Sequence, residues 1–446
     1  MGRKLLVAIM SMLIAGMLPA QVSDTNYYTG QVRMDLATAI AYAKQHNIQL
    51  SISLLDQRLS EQDLLLAKAA RYPDLSGAAT QSITHSKNTN PVVGGFQTQA
   101  NLQGNYSLNS SLLLYRGGYV RNDIRSRKLQ LEAADLNADV TANDITLQLT
   151  AAYLDILVAR ENIVYIGELV NSSQTQYELG NTRFNAGAIS KKELLQLQAQ
   201  LAGDQYNLIT AQNQYRQNIL TLKQLLQLPT TTNFEPVVPD TLIVEQALPS
   251  LLSAQQLAIQ NRPEIKYGQL QMQVAAIELQ KARAGYKPTL SAGGSVSTGY
   301  SDNRDEKYFT QVGNNMFERF NLTLSVHIFD NRVTKTNVGR SKILTEQARL
   351  ILEQSKATLN QQVEQAYIAV LNANAQYRAA ATEWRTNKEI YEISLTQLKL
   401  GGFNTLELLL QRNLYVQALQ NYIQAKYNSI LNTRIYQFYM GYPVSL

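Results

Sequence analysis

The chain repeats its own sequence at a constant distance of 214 residues. Ala152-Tyr153 recurs as Ala366-Tyr367, and Glu193-Leu194-Leu195 recurs as Glu407-Leu408-Leu409. Further pairs at the same distance are Tyr177 with Tyr391, Thr182 with Thr396 and Gly187 with Gly401. A unit of this length is far longer than the roughly 20–50 residues of a solenoid repeat. The chain is therefore a duplicated half-molecule, and both halves are expected to fold alike.

The N-terminus has the pattern of an export signal. Arg3-Lys4 precedes an almost unbroken apolar run from Leu5 to Leu18, and Ala20 supplies a small residue before a cleavage site. The run is shorter than the roughly 20 apolar residues of a membrane span. A cleaved signal peptide over residues 1–20 is therefore favoured over a membrane anchor. No later apolar run is long enough to form a spanning helix, so we expect a periplasmic protein, a secreted protein or a membrane β-barrel.

Composition excludes several classes of partner and chemistry. Without Arg3 and Lys4 the chain has 38 basic and 34 acidic residues, which are spread along its length. This distribution does not favour binding to nucleic acid. It has no cysteine, so no disulfide framework and no lipidated N-terminal cysteine are possible. The three histidines are isolated in sequence and predict no metal site. No nucleotide-binding or nucleophile motif occurs, so we expect neither an enzyme nor a cofactor.

The placement of proline predicts two very long helices. No proline falls between residues 91 and 229 or between residues 288 and 443, and proline breaks helix interiors. In both windows apolar residues alternate at spacings of four and three, from Ile145 and, 214 residues later, from Leu359. This is a coiled-coil seam, and further apolar positions indicate a second one, as in the wall of a tube. A helix over about residues 118–186 is roughly 100 Å long at about 1.5 Å per residue.

The same order of elements is expected in each half. The first repeat, over residues 21–228, contains strands at about 75–84 and 100–115 and a helical hairpin at about 118–228. The second repeat, over residues 250–446, contains strands at about 289–300 and 319–330 and a hairpin at about 331–440. Residues 229–249 form a proline-rich linker, and the hairpins turn near Gly187 and at Gly401-Gly402.

The four predicted strands alternate between apolar and polar residues, most clearly in the second strand of each half. Such runs of about ten residues are typical of membrane β-barrels, although a half-buried sheet in a soluble protein has the same pattern. Four strands cannot close a barrel, and lipid does not tolerate an open sheet edge. Two chains would give 8 strands with a filled interior, and three would give 12 strands around water. The residues predicted to line that lumen are Asn105, Asn109, Asn321 and Thr323.

With these motifs the chain resembles the outer-membrane efflux proteins of the TolC type over nearly its whole mature length. The resemblance is carried by Arg71-Tyr72-Pro73-Asp74-Leu75, Tyr115-Arg116-Gly117-Gly118, Ala186-Gly187 with Glu193-Leu194, and Leu400-Gly401 with Glu407-Leu408. It implies a mixed α and β membrane protein with four transmembrane strands per chain. It further implies a homotrimer, with a 12-stranded barrel in outer-membrane lipid and a periplasmic helical tunnel. The tunnel tips would meet a periplasmic adaptor (membrane fusion) protein that is joined to an inner-membrane pump.

The resemblance also implies roles for residues at the hairpin tips. Glu407 falls where the family has an acidic residue of a periplasmic constriction, and Glu193 is its repeat counterpart. Leu410 replaces a second acid and Phe403 replaces a basic residue, so closure by apolar packing is expected in place of an ionic lock. Both acids also fit helix N-termini, which is the alternative explanation of their position. The residues implied in adaptor docking are Ala186, Gly187, Leu194, Gly401, Gly402 and Leu408.

These observations lead to one principal hypothesis of function and two alternatives. The principal hypothesis is a passive outer-membrane exit channel for pump-driven efflux or secretion. One alternative is an exported soluble coiled-coil structural or adaptor protein, which requires the four strands to form a soluble sheet. The other is a porin without a pump partner. This alternative does not explain helices of about 100 Å, which porins lack.

Overall fold

The computed structural model describes residues 31–89, 96–238, 248–400 and 405–444. The predicted signal peptide therefore lies outside the described residues, as do Gly401, Gly402 and Phe403. The first half contains β1 (Gln31–Met34), α1 (Leu36–His46), α2 (Ile48–Ala69), β2 (Ser76–Thr89), β3 (Phe96–Arg116), α3 (Tyr119–Asn185) and α4 (Lys191–Leu226). The predicted linker contains a strand, β4 (Asn233–Pro236), and the second half contains α5 (Leu251–Asn261), α6 (Pro263–Arg283), β5 (Thr289–Ser301), α7 (Tyr308–Asn314), β6 (Phe317–Ser325), α8 (Val333–Lys399) and α9 (Thr405–Tyr439).

The two longest helices, α3 and α8, are copies of one another in length and position. Each has 67 residues. They begin at residues 119 and 333 and end at residues 185 and 399, so both pairs of ends lie one repeat apart. The predicted long helical hairpins are therefore present, and each long helix extends for roughly 100 Å. None of the helices in the described part of the chain combines the length and apolar composition needed to cross a bilayer.

Left-handed backbone connects sheet to helix in both halves. Gly117 and Gly118 have φ of +60° and +85°, and their repeat counterparts Asn331 and Arg332 have φ of +50° and +68°. Glycine adopts this conformation without strain, whereas a side chain such as that of Arg332 adopts it at some cost. In the second half the turn gains a compensating bond, because Asp330 Oδ2 accepts from the Thr334 backbone N–H at 2.8 Å.

Strands from both halves form one antiparallel sheet in the order β2-β3-β5-β6. The register pairs Asn109 with Ser295, and Asn321 and Thr323 with Gly293 and Ser291. Successive side chains of a strand alternate between faces, so the four predicted lumen residues share one face of the sheet. Large apolar side chains on the opposite face are exposed, and they are Leu108, Phe320, Leu322 and Leu324.

Two details of the sheet differ from the sequence prediction. The last strand ends at Ser325 and does not reach residue 330, because it pairs with β5 and that strand begins at Thr289, just after Pro288. The connection between β5 and β6 contains a short helix, α7, that was not among the predicted elements. The side chain of Gln311 holds this helix to the end of β5, since it accepts from the Ser301 N–H at 2.8 Å and donates to the Ser301 carbonyl at 3.0 Å.

A buried tyrosine ties the middle of α3 to a second, two-stranded sheet. Strands β1 and β4 pair in parallel and join the start of the first repeat to the linker that follows it. The hydroxyl of Tyr153, which lies in the main apolar core, is 3.0 Å from the carbonyl oxygen of Met34 and 2.7 Å from that of Val237. Burial raises the pKa of Tyr153, so the hydroxyl stays a neutral donor.

We expect Tyr153→Phe to destabilise the protein by about 1–3 kcal/mol, because the partly buried carbonyl group of Val237 loses its hydrogen-bond donor. Tyr367→Phe, at the repeat counterpart, is the matched control, since Tyr367 is only partly buried and its ring packs beside that of Tyr436. Thermal unfolding of both variants in detergent measures the difference. Equal losses would show that the hydroxyl of Tyr153 does not hold the two-stranded sheet in place.

Candidate functional site at the hairpin tips

The tip of the first hairpin is a glycine-terminated helix end. Gly187 has φ of +73°. Its N–H donates to the Phe184 carbonyl at 2.9 Å, and the Ala188 N–H donates to the Arg183 carbonyl at 2.8 Å. This pair of bonds is the Schellman arrangement, which favours glycine at the left-handed position. The predicted special backbone at Gly187 is thus present, and both Ala186 and Gly187 are exposed.

The acid of the first tip, Glu193, takes part in capping its own helix. The Ser190 hydroxyl oxygen accepts from the Glu193 backbone N–H at 3.2 Å and its proton points to the Glu193 carboxylate, also at 3.2 Å. Ser190 is therefore the N-cap of α4. These bonds agree with the capping explanation of Glu193 that the sequence left open.

The second acid, Glu407, lies on an exposed face of α9. It is in the first turn of the helix, where a negative charge is favoured by the helix dipole. Leu406, Leu410 and Leu414 are exposed beside it. Since residues three or four apart share a helix face, Glu407 and Leu410 form one surface. The predicted gate position of Phe403 lies outside the described residues.

Two residues implied in adaptor docking are buried. Leu194 and Leu408 are only 4% and 1% exposed. Leu408 lines a cavity of about 340 Å³ between the two hairpins, together with Leu179, Leu197 and Leu395. The side chain of Leu408 therefore packs between the hairpins, and neither leucine side chain is available to a partner at the surface. Among the docking residues implied by the sequence, the exposed ones that the structure describes are Ala186 and Gly187.

A buried ionic cluster, which the sequence did not reveal, joins the two hairpins. Arg412 on α9 is fully buried, and its Nη2 lies 2.5 Å from Oδ2 of Asp204 on α4. The same guanidinium donates to the Ser173 hydroxyl at 2.9 Å, and Ser173 in turn donates to the Asp204 carboxylate. Gln200 donates to the other carboxylate oxygen at 3.1 Å. The cluster is thus an ionic contact between the two hairpins of one chain, and closure of the tip by Phe403 and Leu410 stays a prediction.

A second ion pair links the hairpins further along. Lys426 Nζ on α9 lies 3.1 Å from both carboxylate oxygens of Glu161 on α3. The sequence carries one sign of the cluster around Arg412. Arg412 falls four residues after Leu408 and four before Val416, and so lies on an apolar face of its helix. That spacing indicates a buried charge but not its partner.

The site contains no arrangement that suggests chemistry. Throughout the described ranges, no group of three or more acidic or histidine side chains is placed to hold a metal ion. The geometry instead provides an exposed turn at Ala186 and Gly187, an exposed surface that contains Glu407 and Leu410, and ionic contacts between the hairpins. Such an arrangement can bind a protein partner or restrict a passage.

Comparison with known proteins agrees with this architecture. The family described as "Outer membrane efflux protein" matches residues 39–227 and 254–433. Nodulation protein T of Rhizobium leguminosarum bv. trifolii is 22% identical over 402 residues, which cover 87% of this chain and 82% of that protein. Outer membrane efflux protein BepC of Brucella suis biovar 1 is 21% identical over 412 residues, 90% of this chain and 85% of that protein. The Campylobacter jejuni CmeC outer membrane channel superimposes with a TM-score of 0.78 at 19% identity, covering 91% of this chain and 86% of that one.

We expect Asp204→Ala to destabilise the protein by about 3–5 kcal/mol, because it leaves the charge of Arg412 buried without its partner. Replacing both residues, as Asp204→Leu with Arg412→Met, should cost much less, since no lone charge remains. Glu132→Ala is the control, because its ion pair with Lys128 is exposed and contributes at most about 1 kcal/mol. Thermal unfolding in detergent compares the variants. A similar loss for Asp204→Ala and Glu132→Ala would contradict a structural role of the cluster.

Proposed function

The chain belongs to the outer membrane efflux protein family, and from this membership we propose that it is a passive exit channel for pump-driven efflux or secretion. It is an outer-membrane protein with a large periplasmic portion. The observation that carries the proposal is the four-stranded sheet, which has one polar and one exposed apolar face and continues into helices of 67 residues. A soluble coiled-coil protein would leave the apolar face in water, and a porin would have no use for the helices.

The sheet also supports assembly into a homotrimer. Strands β2 and β6 are its edges, and an unpaired edge within lipid costs several kcal/mol per unsatisfied backbone group. Pairing of β6 in one copy with β2 in the next removes the edges of both. Three copies give 12 strands, enough to surround water. Asn105, Asn109, Asn321 and Thr323 would then face the lumen, and the exposed apolar face would meet lipid.

The helical tips supply the contact with the export machinery. The exposed turn at Ala186 and Gly187 is rigidly built and lies at the far end of the hairpin from the sheet. We place the docking of a periplasmic adaptor protein at this turn and at its repeat counterpart, Gly401-Gly402. The inner-membrane pump joins the complex through the adaptor. Transport through the channel itself then requires no catalytic residue.

Conductance in a planar bilayer, after isolation from outer membranes, tests the channel function. We expect detergent-extracted trimers that dissociate on heating and that form stepwise single channels. Glu407→Ala should weaken cation preference or raise conductance, because three copies of Glu407 would form an acidic ring. Glu407→Gln separates the loss of charge from the change in size. Protein found only in the soluble periplasmic fraction would contradict the channel, and unchanged conductance in both variants would remove Glu407 from the constriction.

Crosslinking from the tip tests the adaptor contact. The chain contains no cysteine, so Ala186→Cys introduces a single reactive thiol at the exposed turn. With a thiol-reactive photocrosslinker in intact cells, we expect capture of a periplasmic adaptor protein, identified by mass spectrometry. Lys68→Cys, at the exposed end of α2 beside the sheet, is the control and should not capture it. Capture from neither position, or equally from both, would argue against docking at the tip.

A further inference from the structure

Cations that are scattered along the sequence come together where the sheet meets the helices. In the first half of the chain this junction lies between the end of β3 at Arg116 and the start of α3 at Tyr119, and α2 ends beside it at Ala69. Its exposed cations, none of which forms an ion pair with another described residue, are Lys68, Arg71, Arg116, Arg121 and Arg125. The junction therefore carries five cations without a partner carboxylate in the described part of the chain.

Carboxylates at the junction are already engaged. Asp74 accepts from the backbone N–H of Ser111 at 2.6 Å and from the hydroxyl of the same residue at 2.7 Å. Asp123 lies 2.7 Å from Lys281 Nζ. Asp330 accepts a backbone N–H at the start of α8. These bonds leave the neighbouring cations without a counter-charge from the three carboxylates.

The second half of the chain carries a matching set of cations around the start of β5 and of α8. Those that are exposed and form no ion pair with a described residue are Arg283, Lys287, Arg332, Lys335 and Arg340. Arg283 lies 215 residues after Lys68, and Lys335 lies 214 residues after Arg121, so two of the cations occur in both repeats. We call the ten cations of the two halves the basic collar.

Exposed aromatic side chains lie at the same level as the basic collar. Each is within three positions of a collar cation in the sequence, and they are Tyr72, Tyr115, Tyr286 and Phe329, between 45% and 83% exposed. The exposed apolar face of the sheet also ends here, at Leu324 of β6. Aromatic and basic side chains together are typical of a membrane–water interface, where a basic side chain lays its stem on apolar surface and keeps its charge in water. The collar therefore lies at the leaflet that faces the periplasm.

A cavity in the first half brings three collar arginines together with apolar side chains. It has a volume of about 340 Å³, and its lining includes Arg71, Arg116 and Arg121 with Leu112, Leu114 and Tyr115. The guanidinium of Arg116 lies 4.5 Å from the ring centre of Tyr119, which holds it at the cavity. Leu112 is on the same face of β3 as Leu108, because alternate residues of a strand share a face. The cavity is thus cationic on one side and continuous with the apolar face of the sheet on the other.

We propose that this cavity, supported by the rest of the basic collar, binds the anionic headgroup of a phospholipid in the periplasm-facing leaflet. The phosphate lies among Arg71, Arg116 and Arg121, and the acyl chains follow the apolar face of the sheet. Guanidinium groups suit this ligand because their planar donors match the oxygens of a phosphate. The proposal rests on the membrane placement of the sheet in the proposed function.

The distances along the helices agree with a contact to headgroups. Arg121 lies two residues and Arg340 seven residues from the start of its helix, which is at most roughly 10 Å along the axis. Attraction between exposed charges extends over a similar length, about 8–10 Å at physiological salt. Each basic side chain near an anionic membrane surface adds to the attraction. The collar cations are therefore close enough to act on the headgroups together.

Spin-labelled lipids test the site in trimers reconstituted into phosphatidylcholine nanodiscs. Electron paramagnetic resonance measures the association of labelled phosphatidylglycerol with the protein surface relative to labelled phosphatidylcholine. We expect a preference for phosphatidylglycerol in the unaltered protein. The variant Arg71→Gln with Arg116→Gln and Arg121→Gln should lower that preference about threefold or more, because three of the attracting charges are removed. About 0.5 M NaCl should lower it in the unaltered protein as well, because salt screens exposed charges.

A matched variant and a competing anion make the result specific. Lys192→Gln with Arg216→Gln and Arg385→Gln removes the same charge from exposed positions on the hairpins and should keep the preference. Arg385, for example, lies 52 residues after the start of α8, roughly 80 Å along the helix. Inorganic phosphate should lower the preference no more than NaCl does at equal ionic strength. A specific loss in phosphate would make the cavity a site for free phosphate and would overturn lipid binding.

The remaining outcomes separate the lipid site from other roles of the arginines. Equal association of the two labelled lipids with the unaltered protein would overturn the proposal. An unchanged lipid preference in the triple variant, with a shifted reversal potential in a salt gradient, would place the arginines at the lumen and overturn it too. If the triple variant forms no trimers, a preference in the unaltered protein that persists at about 0.5 M NaCl would overturn an ionic site. A kept preference in a protein without channel conductance would contradict the proposed function and support the lipid site.

Discussion

The fold depends on one packing requirement. A long helix with two apolar seams needs a neighbouring helix along each seam. Helix α3 meets this requirement within its own chain, because α4, α6 and α9 all pack on it. Its copy α8 packs on α6 and α9 and keeps Ile368 and Leu371 exposed. A chain without cysteine has no covalent substitute for missing packing. In the proposed trimer, a neighbouring copy would cover the exposed side of α8 and the open edges of β2 and β6.

Much of the fold could be predicted because its signals are local. Proline-free windows and a regular apolar spacing give the extent of α3 and α8, and the repeat gives their equivalence. The end of β6 could not be predicted, because it depends on the residue at which its partner strand β5 begins. The helix α7 depends on the side-chain bonds of Gln311, which no periodic pattern encodes. Arg412 and Asp204 lie 208 positions apart in the sequence, so only the packing of α9 against the first hairpin brings them together.

At the tip, residues of one motif that the family resemblance linked to docking differ in their exposure to solvent. Ala186-Gly187 and Leu194 belong to one motif, yet the first two are exposed and Leu194 is buried. The glycine is needed for the left-handed turn, whereas the leucine follows the apolar spacing of its helix and is buried. Glu193 and Glu407 are repeat counterparts, and Glu193 is engaged with the Ser190 hydroxyl. Residues of one motif therefore divide between an exposed turn and a buried packing position, according to their surroundings.

The buried ion pair between the hairpins has a mechanical consequence. A buried ion pair with hydrogen bonds holds two helices in one geometry, because displacement leaves charges without partners at a cost of several kcal/mol. Apolar contacts are not directional and tolerate small displacements. Arg412 and Asp204 therefore resist sliding of α9 against α4 more strongly than the apolar side chains around them do.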